Sequence, residues 1–178
     1  MNQPFSSKAK MLRFSALALV AISCAEGAPA QEPVVEPAAI LEVGAAGEWP
    51  LRSSGSSYGP SLAVEATPIG DWLEIEGGLA SLFSRGQTEW DVDLLFKKPF
   101  TLSPTAEFMI GAGPSWSHAV AHGRNGDTLG VEAALDFMFW PWNGRRLGWY
   151  IEPSYGYSFS ADHEQTLSVS LGFLIPIP

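Results

Sequence analysis

The sequence predicts an all-β fold, an eight-stranded antiparallel up-and-down transmembrane β-barrel, and three observations predict it. Apolar residues recur with period two in eight separate segments, aromatic residues collect at the segment ends, and the alternate positions are rich in glycine and carboxylates. No stretch after residue 38 keeps the 3.6-residue apolar period of an amphipathic helix.

Residues 1–30 read as a cleaved signal peptide. Lys8, Lys10 and Arg13 make a positive start, Phe14 to Ile22 an apolar stretch, and Ala28-Pro29-Ala30 a small-x-small cleavage pattern. The apolar stretch is about half of the ~20 residues a spanning helix needs. A start at Met11 would leave only Arg13 before it. Cys24 is the only cysteine, so no disulfide is expected. It leaves with the signal peptide unless it is lipidated after Ala21-Ile22-Ser23, a poor fit to the usual pattern. Residues 31–38 are a Pro/Glu/Ala linker, expected in the periplasm, and residues 39–178 form the barrel.

Removing Glu26 from 19 acidic residues and Lys8, Lys10 and Arg13 from 10 basic ones leaves 18 and 7, a net charge of −11. That sign excludes nucleic acid, whose phosphates demand the opposite charge. No cofactor is implied. The expected partners are outer-membrane lipids, lipopolysaccharide and, during insertion, the barrel-assembly machinery, with the barrel itself a monomer.

The eight segments run from Ala39 to Trp49, Tyr58 to Thr67, Trp72 to Phe83, Glu89 to Lys97, Thr105 to Trp116, Thr128 to Phe139, Leu147 to Phe159 and Thr166 to Ile175. Such lengths match the roughly 9–11 residues of a tilted membrane-crossing strand. In the fourth, Trp90, Val92, Leu94 and Phe96 alternate with Glu89, Asp91, Asp93 and Lys97. In the sixth, Leu129, Val131, Leu135 and Phe137 alternate with Thr128, Gly130, Glu132 and Asp136. An even number of strands closes without an exposed edge. Pro68 to Asp71, Lys98 to Pro104 and Pro141 to Arg146 read as periplasmic turns. Pro50 to Ser57 and Ser117 to Asp127 read as outer loops.

Alternation alone also fits a soluble lipocalin-like barrel, and Gly47-Glu48-Trp49 mimics the Gly-x-Trp of lipocalins. The aromatic placement decides for the membrane. Trp49, Phe83, Trp90, Trp116, Tyr157 and Phe159 fall at one end, and Trp72, Phe96, Phe100, Trp140, Trp142, Trp149 and Phe173 at the other. Two belts of amphipathic rings are what membrane interfaces select. Gly44, Gly78, Gly111, Gly113, Gly130, Gly148, Gly156 and Gly172 lie on the polar face, where they make room inside a narrow barrel.

From Pro60 to Pro178 the chain resembles small proteobacterial proteins known as outer-membrane β-barrel domain proteins. The resemblance rests on Pro68-Ile69-Gly70-Asp71-Trp72-Leu73-Glu74, Asp93-Leu94-Leu95-Phe96-Lys97-Lys98-Pro99 and Gly111-Ala112-Gly113-Pro114. It implies an outer-membrane barrel with no assigned activity, and the even number of strands is expected to leave both termini in the periplasm. The chain ends Ile175-Pro176-Ile177-Pro178, so Phe173 stands in for the terminal aromatic residue that insertion machinery reads.

The alternation turns Glu42, Glu65, Glu74, Glu76, Glu89, Asp91, Asp93, Glu107, Glu132, Asp136 and Glu152 into the lumen, with Lys97 as the evident counter-charge and turn arginines able to fold in. So many carboxylates cannot all stay ionised in a narrow space. They are expected to form a packed polar core with Ser, Thr and Tyr150, or, alternatively, to bind cations or protons. An aqueous channel needs many more strands. His118 and His122 have metal-ligand spacing only on a helix. Asp162-His163-Glu164 invites comparison with lipid A deacylases, outer-leaflet barrels using Ser, His and Glu. In those enzymes a serine follows the histidine by two positions, where this chain has Gln165. The reading is therefore a structural or surface-interaction barrel without catalysis, with a lipid A-modifying hydrolase as the alternative.

Overall fold

A computed structural model describes residues 37–121, 124–142 and 145–177. The signal peptide with Cys24, most of the linker, and His122 lie outside the described residues. Eight strands follow in order: β1 (Ala39–Pro50), β2 (Ser57–Ile69), β3 (Leu73–Ser84), β4 (Gln87–Ser103), β5 (Ala106–Ala121), β6 (Arg124–Phe139), β7 (Gly148–Ser158) and β8 (Gln165–Ile177). Each pairs antiparallel with its sequence neighbours. Closure comes from β1 against β8, in register from Ala39 opposite Ile177 to Pro50 opposite Thr166. Closure satisfies the last free ladder of backbone groups, which is why a barrel and not an open sheet can face hydrocarbon.

The period-two pattern sets the two faces. On β6, Ala134, Asp136 and Met138 are buried while Leu129, Val131 and Leu135 are exposed. On β4, Leu95 and Lys97 are buried while Val92, Leu94 and Phe96 are exposed. The exterior is thus almost continuously apolar, a surface that lipid stabilises and water does not. We call the end where β1 enters and β8 leaves the entry end, and the opposite one the far end. Exposed Trp72, Phe100, Trp142, Trp149 and Phe173 ring the entry end, and exposed Trp49, Tyr58, Phe83, Trp90 and Phe159 the far end. The rings contact across strands: Phe139 stacks on Trp149 at 4.1 Å, and Trp49 meets Tyr58 edge-on at 5.7 Å. Cross-strand aromatic pairs of this kind add roughly 0.2–1 kcal/mol each.

Four expectations need correction. Lys98 to Pro104 is not a turn: β4 continues to Ser103, with Pro99 opposite Met109 and Phe100 opposite Phe108. Phe100 stacks on Phe108 (5.9 Å), and Phe108 packs at a tilt against Phe137 (5.0 Å), which holds this extension together. Ser117 to Asp127 is likewise not a loop, because β5 and β6 stay paired to Ala121 opposite Arg124. His118 sits in that ladder opposite Asp127, with Nδ1 2.8 Å from its carboxylate. His118 to Ala121 is strand, so the helical turn that would have paired His118 with His122 is missing.

Trp72 does not open a strand either. Its amide donates to Ile69 O (3.1 Å), closing a turn with Asp71 at φ 57°, and β3 begins one residue later. Finally, Trp140 belongs to no belt: it is 1% exposed and lies inside the barrel. The alternation of β6 carries on past its last residue, and the Trp140 amide donates to Thr105 O (2.8 Å), pinning the chain across the entry end. Inside, Trp140 joins Ile40, Met109, Met138, Tyr150 and Leu174 in one buried cluster. This cluster is an apolar plug.

Candidate functional site

The lumen has three levels. At the entry end, the plug is capped by Arg145, held at φ 43° in the β6–β7 turn. Its guanidinium lies 5.7 Å from the Trp140 ring centre and forks onto Glu107 at 2.6 and 3.1 Å. The turn arginine does fold in, and it neutralises one of the predicted lumen acids. Glu74 sits at the same end, opposite Lys97 in the β3–β4 register.

Above the plug, Lys97 reaches across the barrel. Its Nζ bonds to Glu76 of β3, to Asp136 of β6 at 3.1 Å, and to Glu152 of β7. Lys97 and Asp136 are completely buried in their side chains, and Glu76 nearly so. A lone ammonium here would carry a large desolvation penalty, and so would the acids without it. The group is stable only as a hydrogen-bonded unit. Beside it lie Glu42 of β1 and Glu65 of β2, each 1% exposed. One carboxylate oxygen each of Glu42, Glu65, Glu76 and Asp136 fall within 4.8 Å of one another.

Toward the far end the lumen widens into a cleft of about 180 Å³. Its carboxylates are Glu48, Glu89, Asp91, Asp93, Glu132, Glu152 and Glu164, set among Ser115, Ser117, Ser154, Ser158, Ser168, Ser170, Thr128 and Thr166. Gln87 Nε2 donates to Glu89 at 3.2 Å, and few other side-chain bonds restrain these acids. A smaller pocket of about 40 Å³, lined by Glu42, Ser61, Glu76, Gly78, Asp93, Tyr150, Glu152 and Ser170, lies beneath. The two share Ala80, Asp93, Glu152 and Ser170, so the cleft leads down to the Lys97 cluster.

The predicted lumen acids therefore divide. Glu65, Glu76, Asp136 and Glu152, with Glu42, gather around Lys97, and Glu74 lies opposite Lys97 in register; Asp91, Asp93, Glu132 and Glu89 line the cleft; Glu107 stays with Arg145 at the entry end. Sequence reasoning missed Glu48, which shares the parity of Glu42, and Glu164, which enters from the β7–β8 loop. It also missed Leu95 and Leu174 as lumen residues, because apolar side chains at polar-parity positions break the alternation that was being read.

The glycines do two jobs. At Gly113, Gly44 and Gly172 an added Cβ would fall 1.8, 2.2 and 2.3 Å from the carbonyl oxygens of Leu94, Leu171 and Val43. There the missing side chain lets neighbouring backbones approach. At Gly78 the obstacle would be the side chain of Asp93, so that glycine seats a charged group, and at Gly111 it would be both the Lys97 side chain and Phe96 O.

At the far end His163, at φ 46°, stacks on Tyr157 (5.8 Å), with Nδ1 3.1 Å from its hydroxyl. Ser158 Oγ lies 2.8 Å from Ser160 Oγ and accepts the Glu164 amide at 3.0 Å. A serine nucleophile needs its hydroxyl beside a base, whereas these serines bond to each other and to backbone.

No protein-family model matches the chain, and no curated protein is similar to it in sequence. Solved structures do share its fold. It is similar to Neisserial surface protein A (TM-score 0.62, 11% identity, covering 78% of this chain and 96% of that one). It is also similar to Ail, the attachment invasion locus protein of Yersinia pestis (TM-score 0.55, 15% identity, covering 79% and 98%). A third is the N-terminal β-barrel domain of Pseudomonas aeruginosa OprF (TM-score 0.52, 13% identity, covering 76% and 97%). At these identities the likeness establishes the closed eight-stranded barrel and no activity.

Proposed function

We propose that this chain is an integral barrel of the bacterial outer membrane, both termini in the periplasm, with a structural and surface-interaction role and no catalysis. The observation that carries this reading is the asymmetry of the lumen. The entry end is stopped by the Trp140 plug, and the far end opens as an acidic, hydroxyl-lined mouth. Traffic through the barrel is blocked, so contact with soluble molecules is confined to the far face. The apolar exterior with two aromatic rings is suited to outer-membrane lipid and lipopolysaccharide, and insertion falls to the barrel-assembly machinery. Two structural neighbours are named for the cell surface and for attachment, which supports the same reading. Each barrel buries its own ladders, so a monomer suffices.

Membrane-impermeant maleimide on intact cells tests the orientation. Ser54→Cys, in the β1–β2 loop, should label at once, and Gly70→Cys, in the β2–β3 turn, only after the membrane is opened. The reverse pattern would overturn it. Lipid A mass spectra from cells with and without the protein should be identical; a lost acyl chain would instead favour a hydrolase using Ser158 or Ser160 with His163.

A further inference from the structure

The Lys97 cluster is short of positive charge. Among the described residues, five buried carboxylates surround one ammonium, and Lys97 bonds only Glu76, Asp136 and Glu152. Glu42 Oε1, Glu65 Oε2 and Asp136 Oδ1 are buried and have no hydrogen-bond partner among the described residues. Buried carboxyl oxygens left without a partner carry a desolvation cost and call for a ligand.

The geometry points to a calcium ion. We propose that Glu42, Glu65, Glu76 and Asp136 bind one Ca²⁺ in the lumen, next to Lys97 and reached only from the far end. Their four converging oxygens lie within 4.8 Å of one another. An ion at about 2.4 Å from each ligand spans oxygens up to nearly 5 Å apart. An all-oxygen, all-carboxylate set selects hard cations over zinc or copper. Ca²⁺ takes such a set more readily than Mg²⁺, which needs ligands at about 2.1 Å in strict octahedral order. Calcium also needs two to four further oxygens, and the adjoining pocket of about 40 Å³, which Glu42 and Glu76 line, has room for water. The acidic cleft above shares Asp93 and Glu152 with that pocket and draws cations toward it, while the apolar plug closes the other side.

Glu42 and Glu65 are the informative positions, because neither bonds Lys97. Glu42→Gln and Glu65→Gln leave the ion network standing, and Glu164→Gln, at the mouth, serves as the control. Barrels refolded in a zwitterionic detergent, stripped with EGTA and dialysed against radiocalcium should retain one ion in the wild type and in E164Q. E42Q and E65Q should retain none. A wild type that retains none, or an E42Q and E65Q that retain as much as it does, overturns the proposal. Infrared spectra of the wild type test it without any variant. Calcium should shift the carboxylate stretching bands, and magnesium at equal concentration should not. A carboxylic-acid band that calcium leaves unchanged would mean that the cluster holds protons in place of a metal. That measurement decides alone if the variants lose their heat-modifiable migration and hence their fold.

Discussion

The two halves of the lumen meet the same constraint with opposite materials. Around the entry end, Ile40, Met109, Met138, Trp140 and Leu174 form a buried cluster under the Arg145 cap, and the buried Lys97 network holds its acids on an ammonium. Toward the far end, serines, threonines and glycines line a cleft of about 180 Å³, room enough for water beside its carboxylates. In the first half Glu76, Asp136, Glu152 and Glu107 are each held on a cation; in the second the acids have few partners and open space beside them. The contrast teaches that the number of acids in a lumen says little by itself. What matters is whether each has a counter-charge or water.

The sharpest way to break this comparison is Lys97→Met. It strands Glu76, Asp136 and Glu152 without their ammonium and should cost about 3–5 kcal/mol, read as a fall in the urea midpoint of unfolding in micelles. A change near zero would mean that the entry half is as wet as the far half. Next, Trp140→Ala hollows the plug and should cost about 3 kcal/mol in the same assay. A wild-type midpoint would show that Trp140 is packed against nothing.

Gly113→Ala drives a methyl group against Leu94 O and should cost about 2 kcal/mol. Gly77→Ala, whose Cβ meets nothing within 4 Å, should be neutral or stabilising by up to ~1 kcal/mol. Equal effects at both would remove the distinction between glycines that permit backbone approach and those that do not. The smallest effect belongs to the far mouth, where Glu164→Gln, loosely held by Ser53 at 3.3 Å, should stay within about 0.5 kcal/mol. A larger loss would mean that the cleft is as tightly built as the plug.

The fold was legible because it depends on parity, and parity is written in the order of residues. Odd positions of β6 face out and even ones in, as Leu135 and Asp136 show, and in β4 the alternation runs with the opposite parity and placed Lys97 inside. Strand ends were less legible. The Pro99 and Pro104 pair looked like punctuation, yet only the second lies in a turn, because the contacts of Phe108 with Phe100 and Phe137 reward five more pairs of the ladder, from Lys98 opposite Ile110 to Ser103 opposite Ala106. The site was half legible. Sequence named most of the acids that line the lumen, but not which three strands would aim theirs at Lys97, nor that Trp140 would leave the belt for the plug.

The sequence by itself determined the number of strands, the face that most strand residues take, and the acidic character of the interior. These follow from local alternation, which each strand obeys whatever its neighbours do. Only the tertiary structure decided which acids are paired and which are left with bare oxygens. Closure brings β1, β2, β3, β6 and β7 side chains together across the lumen from positions up to 110 residues apart (Glu42 to Glu152). No pattern along the chain encodes a distance across it.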